Sequence, residues 1–210
     1  MMDKTISANL VETLIHNLNG HTLLKDVKSA KYLDANSQHL AIYGLNKPQD
    51  IQGQTIWDLD KIMNAKWGEN AREMQSYDEQ VATTAIALTK HKRVWLNANG
   101  FVWAHYMNKF PILGTRNNVI AILSFGEDLT DSLSLNELYL QYCNLYNQQT
   151  KIAINKFLEH INLLSLFNEM PTHSEILILI AKVTLFTNKL IAAELKIKLS
   201  TVETHINHLN

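Results

Sequence analysis

Residues 91–130, HKRVWLNANGFVWAHYMNKFPILGTRNNVIAILSFGEDLT, decide the reading of this chain. Their apolar runs are short, rich in aromatic and β-branched side chains, and broken by polar turns such as Thr115-Arg116-Asn117-Asn118. Side chains of that kind suit a pleated, half-buried surface, so the stretch predicts successive strands rather than helices. Upstream, Ala30 to Asn36 (AKYLDAN) has the same texture, and Asn46-Lys47-Pro48 marks another turn. Between the early and late strands lies a polar, Ala-rich stretch from about Ala65 to Leu88. It places Met63, Trp67, Met74, Tyr77 and Val81 at roughly helical intervals. Residues 21–130 therefore read as one α+β domain.

The flanks are helical. Ile6, Leu10, Val11, Leu14, Ile15 and Leu18 recur at helical spacing and end at Gly20, which predicts a short amphipathic helix over residues 1–20. After Thr130 neither Gly nor Pro occurs until Pro171, so one or two long helices are expected over 131–167. Leu138, Leu145 and Ile152 are spaced seven apart, with Ile154, Phe157, Ile161 and Leu164 as a second seam, a pattern compatible with a connecting helix coiled in a dimer. Residues 168–210 hold three short helical patterns, parted at Thr184–Thr187 and Lys196–Ser200.

Composition limits the function classes. With 210 residues, 46% hydrophobic and 19% charged, the chain can bury a core without disulfides or a metal clamp. Its single cysteine, Cys143, has no partner within the chain and excludes a Cys-based zinc site, which points to a reducing compartment. No run approaches the roughly 20 apolar residues of a membrane span, and the N-terminus lacks an apolar signal core, so a cytoplasmic protein is expected. The net charge of −1 supplies no global field for nucleic acid. No nucleophile motif, Gly-rich phosphate loop or metal-spaced cluster is present, so an enzyme is not expected.

Three groups of residues carry a resemblance to the PAS family of sensors: Tyr32-Leu33-Asp34-Ala35-Asn36, then Gly53-Gln54-Thr55-Ile56-Trp57-Asp58-Leu59, then Lys109 to Leu113 with Val119 to Phe125 and the exit Asp128-Leu129-Thr130. The resemblance covers about 110 residues in order, with Gly126-Glu127 as an extra step. It implies an antiparallel sheet curled around a ligand pocket, with Tyr32, Trp57, Trp95, Trp103 and Tyr106 as aromatic walls and His39 and His105 as polar candidates. Asp128 and Thr130 become a signal junction, able to cap the first turn of the outgoing helix. No cofactor is called for: Cys143 lies beyond the exit motif, which excludes flavin-thiol chemistry, and lone histidines such as His39 and His105 are more often structural than haem ligands.

Thr187-Asn188-Lys189, Ile191-Ala192, Leu195, Ile197 and Thr201-Val202-Glu203-Thr204-His205 resemble the LuxR-type helix-turn-helix. The resemblance implies a core of Ile191, Leu195, Ile197 and Val202, with Ala192 small where helices cross. The DNA-binding residues it implies are Asn188, Lys189, Lys198, Ser200, Thr201, Glu203, Thr204 and Asn207. Departures are visible. Lys198 replaces the usual cap serine, and the chain stops where the family has a fourth helix, which is apparently missing. Lys182, Lys189, Lys196 and Lys198 against Glu175, Glu194 and Glu203 leave a net of +1 over residues 171–210. The whole reads as a homodimeric transcription regulator that binds double-stranded DNA and senses a small molecule or partner; the alternative is a signalling adaptor whose helix-turn-helix no longer reads DNA.

Overall fold

The computed structural model describes residues 4–63, 67–147 and 149–209, in two compact units, 1–131 and 132–210. Ala65 and the side chain of Ile6, both used in the sequence reading, lie outside the described residues.

The first unit opens with α1 (Lys4–Asn17), followed by β1 (His21–Asp26) and β2 (Tyr32–Ala35). Four helices come next: α2 (Ser37–Ile42), α3 (Pro48–Ile51), α4 (Ile56–Ile62) and α5 (Asn70–Thr84). Strands β3 (Leu88–Leu96), β4 (Val102–Leu113) and β5 (Val119–Asp128) complete it. The sheet order is β2-β1-β5-β4-β3 and every pairing is antiparallel. The first-quoted stretch thus forms the β3-β4-β5 meander, and β1 closes onto β5 with His21 opposite Gly126.

Local chemistry sets each element. Asn36 caps α2 by accepting from the His39 amide at 3.0 Å, accepts from Thr22 N at 3.0 Å, and donates through Nδ2 to Gly20 O at 2.7 Å. One amide side chain therefore fixes a helix start and ties it to the head of β1. Thr55 and Asp58 form a capping box that starts α4. That register turns Ile56 and Leu59 inward, both at most 2% exposed, and turns Trp57 outward at 45% exposed. The core lies between α2–α5 and one face of the sheet, where Leu40, Ile51, Ile56, Leu59 and Met74 meet Trp95, Trp103 and Met107. Each fully buried aliphatic side chain of this set stabilises the unit by about 1.5–3 kcal/mol.

The second unit begins at α6 (Leu135–Tyr146), capped by Ser134 and Glu137, and continues with α7 (Thr150–His160), α8 (His173–Thr184), α9 (Asn188–Glu194) and α10 (Leu199–Leu209). The heptad positions do not make one seam, since Leu138 is buried and Ile152 is half exposed. The buried face of α6 and α7 is instead built on large side chains, Tyr139, Tyr142, Ile154 and Phe157. Tyr139 Oη and His173 Nδ1 are hydrogen-bonded at 2.7 Å, and Tyr142 Oη and His160 Nδ1 at 2.6 Å, so α6 is tied to both α7 and α8. The connecting helices and the last three helices thus share one compact unit. Among the described residues, no single helix is long and apolar enough to cross a membrane.

Candidate functional sites: a closed cavity and a helix-turn-helix

Strand alternation places Trp103, His105, Met107 and Lys109 on one face of β4, toward the helices. Tyr106 alternates to the other face, so it is not one of the cavity's walls. Around these residues lies a closed cavity of about 30 Å³, room for a water or two. Tyr32, His39, Trp95, Trp103 and His105 of the predicted pocket all line it, together with His21, Tyr43 and Asp78. Trp57 is elsewhere: its indole N–H donates to Gln75 Oε1 at 2.6 Å on the outside of α4. The sequence suggested Trp57 as an aromatic in the right segment; the capping register of α4 puts it on the surface.

The rings form a continuous stack. Trp103 lies on His105 with centroids 3.7 Å apart, Trp95 is 5.8 Å from both, and Trp67 continues the stack at 5.4 Å from Trp95. Arg93 caps it, its guanidinium carbon 4.0 Å from the Trp95 ring centre, and it also pairs with Glu73. His21 meets Trp103 and His105 edge to face at 4.6 and 4.9 Å.

Burial keeps the imidazoles neutral. It lowers His21 to about 4, with Asp128 pulling the other way, and it holds His39 and His105 well below the ordinary histidine range. Several polar atoms in this centre have no hydrogen-bond partner among the described residues: both nitrogens of His39, Nδ1 of His105 and the indole nitrogen of Trp95. Each such orphan costs about 1–3 kcal/mol, a deficit that a bound polar molecule would relieve.

The cavity floor is ionic. Asp78 lies between Lys25 and Lys109, each 2.6 Å away, and all three side chains are at most 13% exposed. Burial pushes the Asp78 carboxyl up, but Lys109 and Lys25 overcome it and hold it below the usual carboxylate range. Burial also lowers Lys109, which donates to Ser124 Oγ at 3.3 Å. None of His21, Tyr43, Asp78 or Lys109 stood out as a site residue in the sequence. A lysine at strand period with Trp103, His105 and Met107 was the one available signal for Lys109.

At the sheet exit, Asp128 Oδ1 accepts from Thr130 N at 2.8 Å. Thr130 does not cap the long outgoing helix, a role taken by Ser134. Its hydroxyl instead accepts from Ala104 N at 3.0 Å and its Oγ1 reaches Ala104 O at 3.4 Å, pinning the exit onto β4.

In the second unit, α8 and α9 are bent by 119° at the break between them. Ile178, Ile191, Ala192 and Val202 form the small core, with Ala181, Leu185, Leu195 and Ile206 packed on it. Ile197, expected inside, is 37% exposed, because the left-handed Lys196 reverses the chain one residue earlier. Thr187 caps α9 through Leu190 N. α10 is anchored from its rear: Glu175, in the first turn of α8, accepts from His208 Nδ1 at 2.9 Å and faces His205 Nδ1 at 3.5 Å. Burial raises the Glu175 carboxyl, but the Thr172 amide and hydroxyl and the two histidines bring it to about 2. With Val202 inward, Ser200, Glu203, Thr204 and Asn207 are exposed along α10, Lys189 and Lys198 are exposed beside it, and Asn188 and Thr201 are half-buried.

The fold is that of a PAS-like domain followed by a helix-turn-helix unit. Similar solved structures include the Vibrio cholerae VqmA–ligand–DNA complex, 22% identical, which aligns over 94% of this chain and 76% of that one with a TM-score of 0.51. The PAS domain of Bordetella pertussis BvgS is 18% identical over 60% of this chain and 88% of that one, with a TM-score of 0.50. No protein-family model and no curated protein matches the chain.

Proposed function

We propose that this chain is a homodimeric, ligand-responsive transcription regulator that works in the cytoplasm. Its PAS unit binds a small polar molecule at the Trp103/His105 cavity, which widens to take anything larger than water, and α10 reads double-stranded DNA. The observation that carries the reading is the union, in one chain, of a closed cavity with unpaired buried nitrogens and a three-helix unit whose last helix leaves its polar face open. The similar VqmA structure was solved with both a ligand and DNA. The signal junction is Asp128 and Thr130, since the exit of the sheet is fastened there to β4.

On DNA, Ser200, Thr201, Glu203, Thr204 and Asn207 face base edges, while Asn188, Lys189 and Lys198 hold phosphates. Glu203 is suited to accept from cytosine N4 and is repelled by phosphate. Lys198 has no side-chain oxygen to cap α10, and its carbonyl accepts from Thr201 N and Val202 N, so the amides of Leu199 and Ser200 are the ones offered to a phosphate oxygen. Purified protein is expected to capture duplexes in a genome-fragment selection, with affinity falling steeply as salt rises. Lys189→Ala is expected to weaken binding to every sequence alike and to reduce the log–log salt slope by about 1. An unchanged slope removes Lys189 from the interface. If no duplex is retained at any salt, the faint charge of the last three helices is the explanation and the adaptor reading takes over. Light scattering at high micromolar concentration is expected to return a dimer mass, and a monomer there overturns the dimeric part of the proposal.

A further inference from the structure

The closed cavity has a neighbour. An open groove of about 630 Å³ lies on the same unit, bordered by Asn19, Gln38, Asn97 and Asp128. Both spaces are lined by His21 and Trp103, so these two rings are the partition between them. Trp103 is locked, stacked on His105 and facing Trp95. His21 meets Trp103 and His105 edge-on and stacks at a distance on His39, 6.1 Å between centroids, and its imidazole has no hydrogen-bond partner among the described residues.

His21 keeps its place because Gly126 has no side chain. A Cβ on Gly126 would overlap Nε2, Cε1 and Cδ2 of the His21 ring, which fills that position over β5. Glycine in a strand interior commonly marks such a close approach.

The other thin wall is closed far more firmly. A second surface hollow, about 130 Å³, meets the cavity only at Asp78, which Lys25 and Lys109 clamp from both sides. Opening there strands buried charges; turning His21 toward the groove breaks no hydrogen bond and no ion pair.

We propose that the groove is the entry vestibule of the sensor cavity and that His21, seated on Gly126, is its gate. This rests on the ligand reading above, which gives the cavity something to admit. Ligands that enter are then limited by the width the His21 ring can open, and Gly126 is a positioning residue acting through it.

The test needs no knowledge of the ligand. In a Trp57→Phe background the remaining tryptophans, Trp67, Trp95 and Trp103, are all buried in the ring stack. Acrylamide, a small neutral amide, then reports passage into the cavity by quenching them. In the full-length protein, His21→Ala and Gly126→Ala are each expected to raise the quenching constant about threefold or more, since a packed interior otherwise excludes such a molecule. Leu23→Ala is the control: Leu23 lines the cavity but not the groove, so it leaves a void without an opening. Folding is checked by circular dichroism, and His21→Ala decides the matter if Gly126→Ala is unfolded. No rise in His21→Ala, or an equal rise in Leu23→Ala, overturns the gate. A rise confined to the gate variants, in a protein that no small-molecule library stabilises, leaves the gate standing and removes the ligand reading.

Discussion

Asp78→Ala is expected to cost the PAS unit on the order of 3–5 kcal/mol, the loss typical of removing one partner from a buried ion cluster. The reason is arithmetic of charge. One carboxylate offsets two ammonium groups, each with a side chain about 5% exposed, and removing it leaves both without an anion. Among the described residues, Lys25 then retains the face of Tyr32, 5.4 Å away, and Lys109 retains Ser124 Oγ. For a unit of this length, that loss lowers the thermal midpoint by roughly 10–20 °C. Tryptophan fluorescence reads it cleanly, because all four tryptophans lie in the first unit. The combined replacement of Asp78→Leu, Lys25→Met and Lys109→Met is expected to recover most of the loss, as apolar substitutes for buried ion clusters often do. A loss below about 1 kcal/mol in Asp78→Ala means water reaches the cluster and screens it as at a surface.

That cluster also shows where sequence reading ran out. The α+β class, the strands around residues 91–130 and the turn at Asn36 were legible because each depends on neighbours in sequence. The strand-end pattern announced the local turn that Asn36 completes with His39, whereas its bonds to Gly20 and Thr22, 16 and 14 positions away, came only with the structure. Tyr32, His39, Trp103 and His105 followed from the strand period and the resemblance. Asp78 did not, because its role arises from Lys25 and Lys109, 53 and 31 positions away. Trp57 was misplaced for a local reason: a shift of one residue in the start of a short helix exchanges inside for outside, and Thr55 with Asp58 decides that shift. His21 carried no motif at all, and its importance depends on the bare strand at Gly126, opposite it on the neighbouring strand β5 but far away in sequence.

The sensor unit is also expected to lose stability in mild acid, well before carboxylates are protonated. His21, His39 and His105 are neutral when folded because burial lowers each of them. Unfolded, an imidazole binds a proton near pH 6.5. The unfolded chain therefore takes up protons that the folded one refuses, and stability falls as pH drops below about 6.5. For His21 the fall continues to its folded value of about 4 and amounts to roughly 3 kcal/mol in all, about 2 kcal/mol of it by pH 5. His39 and His105 act in the same direction, and they raise the cost of charging His21 because the three rings face one another, at 6.1 Å for His21–His39 and 4.9 Å for His21–His105. Asp128 opposes this near His21, whereas Lys109 reinforces it at His39. Asp78, held below the carboxylate range, contributes nothing in this window. Urea unfolding followed by tryptophan fluorescence at pH 7.5, 6.5, 5.5 and 5 is expected to show a midpoint that slides downward from pH 6.5, and His105→Phe is expected to flatten the slide. A midpoint constant across that range would mean the three imidazoles are solvated. The same measurement bears on function, because a molecule that donates hydrogen bonds to the unpaired His39 and His105 nitrogens binds only their neutral forms. Its stabilising effect is therefore expected to hold steady between pH 7.5 and 5, because burial keeps both rings neutral in the folded unit across that range, and a ligand effect that faded there would mean the rings are not buried.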